Sequence, residues 1–495
     1  MTQINTNVPS MIAQRVLGFQ NQALTKSLER LSTGLRINRG ADDPAGLIAS
    51  ENLRAEKTAI GAAIKNAQRA EQVLNVAEGG LQEISNLLVE LQGLVGETAN
   101  EAGVSQEEKE ANQLQIDSIL QTIDRIANST SFQGTKLLNG NFDYTTSGVA
   151  SSLTDVSVNS ARLSDASGSN IQVTIDVLTS AQTAEIYLST GATLTNGGGG
   201  SITLEVTGNL GVQQFTFASG TTQANMIAAI NSFSEALGVS ASQAATDTAR
   251  IELNSTEFGS GKFVRVKELE GASTSDGGAG EIIFSTETST TATGELKDVG
   301  RDATVLINGN QATTNGLSAR VGTDGFDVSL LLDGSSSLNT TGGSTTFYIT
   351  GGGADFNLSP KVNLAGKVSL GMDAVTSGNL GTNQNGFLSS LKSGGGSNVV
   401  NGDLSKAQAV IEDSIKQVSS LRGRLGAFQK NTIGSTINSL GIALENTAAA
   451  ESSIRDTDFA AETAALTRSQ ILVQAATQAL VISNAQPQSV LSLLG

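Results

Sequence analysis

The sequence predicts an α+β multidomain chain. Paired long N- and C-terminal α-helices form a coiled-coil or helical-bundle stalk, with β-rich outer domains inserted between them. Three observations carry this expectation. From Ile60 to Val95, apolar residues including Ile64, Ala67, Leu74, Leu81, Leu88 and Leu91 recur at steps of three or four. Such steps average about 3.5 residues, the period at which one helix face requires a partner along its whole length. A second stripe lies near the other end, at Leu404, Ala407, Ile411, Ile415, Val418, Leu421, Leu425 and Phe428, and continues after a short slip with Ile433, Ile437, Leu440 and Leu444. Each stripe spans roughly 50 Å or more, so the two cover one another only if the chain between them is looped out from one end of the pair. Third, residues from about 141 to 400 are rich in Thr, Ser, Gly, Asn and Asp with alternating apolar positions, the period of half-buried strands.

Composition limits the chemistry. The 495 residues have room for about three or four domains. There is no Cys, His or Trp, with 4 Pro and 55 Gly. Thiolate chemistry and disulfides are therefore excluded, and the usual imidazole base and metal ligand are missing. The net charge of −17 argues against general nucleic-acid binding. Residues 141–400 hold 23 acids against 11 bases, whereas residues 1–40 carry Arg15, Lys26, Arg30, Arg36 and Arg39 against the single acid Glu29. No apolar run approaches a membrane span, and MTQINTNVPSM lacks the features of a cleaved secretory signal. The chain is expected either to stay in the cytoplasm or to leave by a route that reads no such signal.

In chain order, Ser10 after Pro9 is expected to cap a helix whose apolar face is Ile12, Val16, Phe19, Leu24, Leu28, Leu31 and Leu35. That helix is marginal alone and stable when its face meets other copies or the C-terminal end. Asp43 before Pro44 reads as the start of a new helical segment, which explains Asp42 and Asp43 better than a cation site does. Ser105 and Glu108 form a capping-box pattern opening a helix with Leu114, Ile119, Ile123 and Ile126. SFQGTKLLNG at 131–140 reads as a short hairpin. The segments IQVTIDVLT, AEIYLST, SITLEVTG, KFVRVKEL and STTFYIT read as strands, with a helical interruption at Ala224–Leu237 and a turn or loose tip at TNGGGGS, 195–201. Residues 211–242 and 303–333 each read as an outgoing strand paired with a return strand. The expected organisation is two small β-rich domains divided near 271–297, about 141–285 and 286–400.

No nucleophile elbow, phosphate loop, dinucleotide fingerprint or zinc spacing appears, so no enzyme and no cofactor is expected. Arg422 and Arg424 are either plain surface charges or partners of acids on the N-terminal helices or a neighbouring subunit. Arg30, Arg36, Arg39, Asp42 and Asp43 are expected in intersubunit contacts, being charged and patterned outside any self-contained core. Asp456–Leu494 is a helix rich in Ala, Leu, Ile and Gln, closed near Pro487 and followed by another short apolar piece. Its aliphatic face and that of the N-terminal helix place an assembly interface at Leu31, Leu35, Phe459, Leu466, Ile471, Leu472, Leu480 and Leu491. Two such ends bonding to neighbours make a heterologous contact that propagates as a tube or fibre.

The chain resembles bacterial flagellin through MTQINTNVPSMIAQR, LSTGLRINRGADDPAGLIASENLRAE, ENTAAAESSIRDTDFAAETAALTRSQILVQAATQAL and QPQSVLSLL. The resemblance covers about residues 1–140 and 400–495. It implies that 1–45 and 455–495 form a filament's inner core, that 46–140 and 401–454 form a surrounding helical domain, and that 141–400 is exposed at the surface. It also implies a homo-oligomeric helical filament, extracellular after export through a type III apparatus, with a hook-filament junction protein, a filament cap and an export chaperone as partners. Neither nucleic acid nor membrane insertion is expected. Flagellins recognised by an innate immune receptor usually have Arg where this chain has Glu90, beside Leu94, and the reversed charge is expected to weaken that contact. A hook-filament junction protein is the nearest alternative. A secreted adhesin or surface-layer binding module is the other, and it leaves both terminal stripes without a purpose.

Overall fold

The computed structural model describes residues 6–100, 103–163, 170–189, 201–244, 250–270, 283–285, 291–292, 294–336, 338–339 and 342–491. These fall into two compact units, one of Met1–Gln72, Asn357–Gly366 and Ala427–Gly495, the other of Val73–Phe356 and Lys367–Gly426. Helices among the described residues include α1 (Val8–Thr33), α2 (Pro44–Thr98), α3 (Gln106–Ser129), α4 (Gln223–Asn231), α5 (Ser234–Leu237), α6 (Leu404–Ala427), α7 (Ser435–Arg455) and α8 (Phe459–Leu491).

In the first unit α1 packs along α8. Its cap is Asn7 and not Ser10: Pro9 sits in the first turn, where a missing N–H costs nothing, and the Asn7 side chain accepts from the Ser10 N–H at 3.1 Å. Ser10 is instead buried, its hydroxyl donating to Asn484 Oδ1 at 2.7 Å. α1 ends at Gly34, whose φ of 73° lets its N–H return to the Arg30 carbonyl. The chain then pairs with the segment before α8: Arg36 N–H donates to the Arg455 carbonyl at 2.7 Å, and Thr457 N–H to the Gly34 carbonyl at 2.9 Å. Asp43 caps α2, accepting from Gly46 N–H at 2.9 Å, and Pro44 takes the first helical position.

α8 does not close near Pro487; it runs through that residue to Leu491. A proline inside a helix leaves the carbonyl four residues back without its donor. Here that carbonyl belongs to Ser483, and the Asn7 side-chain amide donates to it at 2.8 Å.

α7 meets the first part of α2 through ion pairs of Lys57 with Glu451 and of Arg455 with Glu51, the latter at 2.8 Å. Between α6 and α7 the backbone is π-helical over Phe428–Gly434. The wider turn absorbs the five-residue step from Phe428 to Ile433 and leaves Ile433 fully buried, so the slip in the stripe is a local change of helix type.

In the second unit the rest of α2 buries Leu74, Ala77, Leu81, Ile84, Leu88, Leu91 and Val95, every one at 3% exposure or less. α3 starts with the capping box of Ser105 and Glu108 and buries Ile116, Leu120 and Ile123. α6 contributes Val410, Ile411, Val418, Leu421 and Leu425. A two-stranded antiparallel hairpin follows α3, Ser131–Phe132 against Thr135–Lys136. Buried Gln113 on α3 fastens the returning chain, donating to the Leu391 carbonyl at 2.8 Å and accepting from Val399 N–H at 3.0 Å. Further along α3, Asp117 accepts from Ser393 and Asp124 from Ser377.

The β-rich region differs from two consecutive domains. One core joins Leu153–Ala161 and Ile171–Thr179 to Thr304–Ile307, Ser318–Thr323, Phe326–Leu332 and Gly343–Gly351. The other, with α4, lies between these halves in sequence, from Glu185–Ser189 to Glu295–Val299. The second is thus inserted into the first, because Ile171–Thr179 pairs with both Thr304–Ile307 and Gly343–Gly351 across a long stretch of chain. Within the insertion, Val212–Ala218 and Val239–Gln243 lie in different sheets, each beside another partner, so residues 211–242 do not form the expected strand pair. Residues 195–200 of the expected tip, and 271–282, 286–290 and 293 of the expected boundary, lie outside the described residues.

Candidate assembly surface

The α1–α8 pair is closed by small and polar side chains interleaved with Leu and Val. On α1 the least exposed positions are Ser10, Ala13, Leu17, Gln20, Leu24, Ser27 and Leu31, at alternating steps of three and four. On α8 they include Glu462, Leu466, Ser469, Val473, Ala476, Leu480 and Ser483. This heptad spacing is that of a coiled-coil seam, and Ser and Ala at the contact let two helices lie close together. Leu31, Leu466 and Leu480 therefore sit in the seam, half-buried within one chain, and Leu35 is half-buried where the two connections pair.

Many other large apolar side chains lie outside the seam. Met11 is 62% exposed, Phe19 61% and Ile482 66%, and Val8, Ile12, Val16, Leu28, Phe459, Ile471, Leu472 and Val481 are also exposed. Most of the α1 face read as the packing face is thus on the surface. Leu24, Leu31, Leu466 and Leu480 of the seam are legible from hydropathy, whereas Ala13, Gln20, Ser27, Ser469 and Ala476 are not, being small or polar; their alternating steps of three and four are the signal that finds them. Val8, Pro9, Ile12 and Val16 with Ala476 and Ala479 line an apolar groove of about 440 Å³. Leu491 belongs to the last turn of α8, and its side chain lies outside the described residues.

The charged candidates have partners in their own chain. Arg30 reaches Glu462 at 3.5 Å and Arg36 donates to the Ile454 carbonyl, both between the N- and C-terminal segments. Arg39 pairs with Glu29 at 3.0 Å. Asp42 accepts from Lys26 at 2.8 Å and from the N–H groups of Asn38 and Arg39, and these bonds, Lys26 first, hold its carboxyl down at about 2. Asp43 is spent on the α2 cap. Arg422 meets Glu78 on α2 at 2.8 Å, and Arg424 meets Asp373 at 3.0 Å. Beside that second pair, burial first and the Asp373 charge second push the Asp143 carboxyl up to about 6. On the outer side of α2, Glu90 is exposed and Leu94 half-buried. Among the described residues no group of three or more His, Cys, Asp or Glu has a metal-holding arrangement, and no helix is long and apolar enough to cross a membrane.

Residues 4–143 match the bacterial flagellin N-terminal helical region, and residues 408–494 match the bacterial flagellin C-terminal helical region. Both ends of the chain are thus similar to bacterial flagellin. Among its curated relatives, Flagellin A of Helicobacter pylori is 28% identical over 532 residues, covering 99% of both chains. Flagellin B of Vibrio cholerae serotype O1 is 28% identical over 508 residues, again covering 99% of both. B-type flagellin of Pseudomonas aeruginosa is 29% identical over 550 residues with the same coverage. Among solved structures, the D2-D3 domains of the flagellar cap protein from Serratia marcescens align with 38% of this chain and 97% of that one, at 17% identity and a TM-score of 0.26.

Proposed function

We propose that this chain is the structural subunit that polymerises into the bacterial flagellar filament, the extracellular helical propeller of swimming cells. One observation carries the reading. The α1–α8 pair is already sealed by its own seam, yet it exposes rows of Met, Ile, Val, Leu and Phe along both helices. A lone soluble protein rarely shows so much contiguous apolar surface. Two different helices presenting it favour head-to-tail contacts that extend without closing.

In this reading residues 1–45 and 455–495 make the inner core of the filament. Residues 46–140 with 401–454 surround it, and 141–400 face outward. Phe459, Ile471 and Leu472 bury against neighbouring subunits, while Arg30, Arg36, Arg39, Asp42, Asp43, Arg422 and Arg424 hold the subunit in the shape that packs. A hook-filament junction protein, a filament cap and an export chaperone are the partners the family suggests. Glu90 beside Leu94 weakens capture by the innate receptor for flagellin. The chain acts mechanically, and no step of the reading asks it for catalysis.

The test is seeded assembly. Purified monomer added to short filament fragments is imaged by electron cryomicroscopy; long helical tubes with both termini at the centre are expected. Discrete rings would indicate a junction protein, and persistent monomers would contradict the reading.

A further inference from the structure

The exposed rows on α1 and α8 are almost free of charge. Arg15 is the only ionisable side chain in residues 8–25, and Arg468 the only one in residues 463–491. Both are exposed, and among the described residues neither has an ion-pair or hydrogen-bond partner. Each stands inside an apolar row: Met11 and Phe19 lie one turn to either side of Arg15, with Ile12 three residues away, and Ile471 and Leu472 lie one turn beyond Arg468. A neighbour that covers those rows also covers the arginines, and a guanidinium removed from water needs an anionic partner.

We infer that Arg15 and Arg468 each bind a carboxylate of a second copy of this chain when the apolar rows are covered. The inference rests on the filament-subunit reading and adds a geometry to it. Residues 8–28 and 463–491 contain no Asp or Glu, so two such tips cannot satisfy each other's arginines. The carboxylates come from elsewhere on the neighbour, in a chain whose net charge is −17. Neighbouring copies are therefore staggered, each tip lying against a different level of the next subunit, and the two arginines select that offset over a tip-to-tip contact.

The test replaces each arginine with leucine in the full chain, Arg15→Leu and Arg468→Leu, and measures the critical concentration for seeded growth at several KCl concentrations. A guanidinium that meets a carboxylate leaves it stranded on substitution, so the critical concentration rises about tenfold or more and its dependence on salt flattens. If the arginines stay in water or lie unpaired, leucine extends the apolar row and growth is unchanged or easier, which overturns the inference. Arg15→Gln and Arg468→Gln, milder at exposed helix positions, are expected to shift growth in the same direction as leucine, with far-UV circular dichroism and melting of the monomer unchanged. Failure of the unsubstituted chain to grow from seeds contradicts the filament reading itself; growth of all variants like the parent contradicts only the pairing.

Discussion

The side-chain amide of Asn7 donates to the backbone carbonyl of Ser483 at 2.8 Å, filling the position that Pro487 leaves empty. The same side chain caps α1 through the Ser10 N–H at 3.1 Å. One residue at the start of the chain thus supports the beginning of one helix and repairs the end of another. Asn7→Ala is expected to destabilise the first unit by about 1–2 kcal/mol in denaturant unfolding. In a Pro487→Ala background Ser483 regains a helical donor, so the same substitution costs less. Equal costs in both backgrounds would show that the Asn7–Ser483 bond contributes nothing.

Asp143 makes the second unit sensitive to pH. Burial pushes its carboxyl up to about 6 in the folded chain, well above the ordinary carboxylate range, so the folded state holds the proton more tightly than the unfolded state does. Stability therefore rises as pH falls from 7 through 6 towards 4, and is lost again as pH rises. Asp143→Asn is expected to raise stability at pH 7 by roughly 1–2 kcal/mol and to flatten that part of the profile. Thermal unfolding between pH 4 and 8 measures both effects.

The opposite sign holds at Asp42. Its carboxyl is lowered to about 2 by Lys26 and by the N–H groups of the turn before α2. Its contribution is full above about pH 4 and is lost as pH falls through 2. Asp42→Asn is expected to lower the melting temperature of the first unit at pH 7, by an amount that shrinks steadily as pH falls from 4 through 2.

Gln113 is buried at 4% exposure and holds two backbone groups of the returning chain. Gln113→Leu leaves the Leu391 carbonyl and the Val399 N–H without that partner, at a cost of about 2–3 kcal/mol. Limited proteolysis should then cut within 388–400 sooner than in the parent. An unchanged cutting pattern would mean that water replaces the side chain without loss.

Phe19→Ser and Ile471→Ser change exposed positions, at 61% and 60% exposure, outside the α1–α8 seam. Monomer stability is expected to move by no more than about 0.5 kcal/mol. Seeded growth is expected to fail or to need a much higher concentration. Loss of monomer stability together with assembly would place these residues in the subunit's own core.

The parts of the fold legible in the sequence are those where large apolar residues answer a partner within the chain. Leu74, Leu81, Leu88 and Val95 repeat at a seven-residue spacing and are all buried, so periodicity and packing agree. On α1 they disagree: Ser10, Ala13, Gln20 and Ser27 form the seam, while Ile12, Val16 and Phe19 are left to the surface. Hydropathy records that a side chain avoids water, and does not record which molecule covers it. The π-helical step at Phe428–Gly434 was visible only as a slip because period analysis assumes one helix type. The nested β cores were illegible for another reason: the strand of Ile171–Thr179 chooses partners more than a hundred residues later, at Thr304–Ile307 and Gly343–Gly351. Alternation identifies strands and leaves their pairing open. Pro487 reads as a stop in the sequence because the donor that compensates it, Asn7, comes from the opposite end of the chain.

The central claim is that the exposed rows of α1 and α8 become buried between copies, and the absence of cysteine allows a direct measurement. A single cysteine placed at Ile471, or as a control at Leu210 in the β-rich region, is labelled with a maleimide in monomers and in grown filaments. Leu210 is 67% exposed in the subunit and Ile471 60%, so both should react in monomers. The account predicts that filament growth slows labelling at 471 by more than about tenfold relative to 210. Equal labelling at 471 in monomer and filament would contradict it.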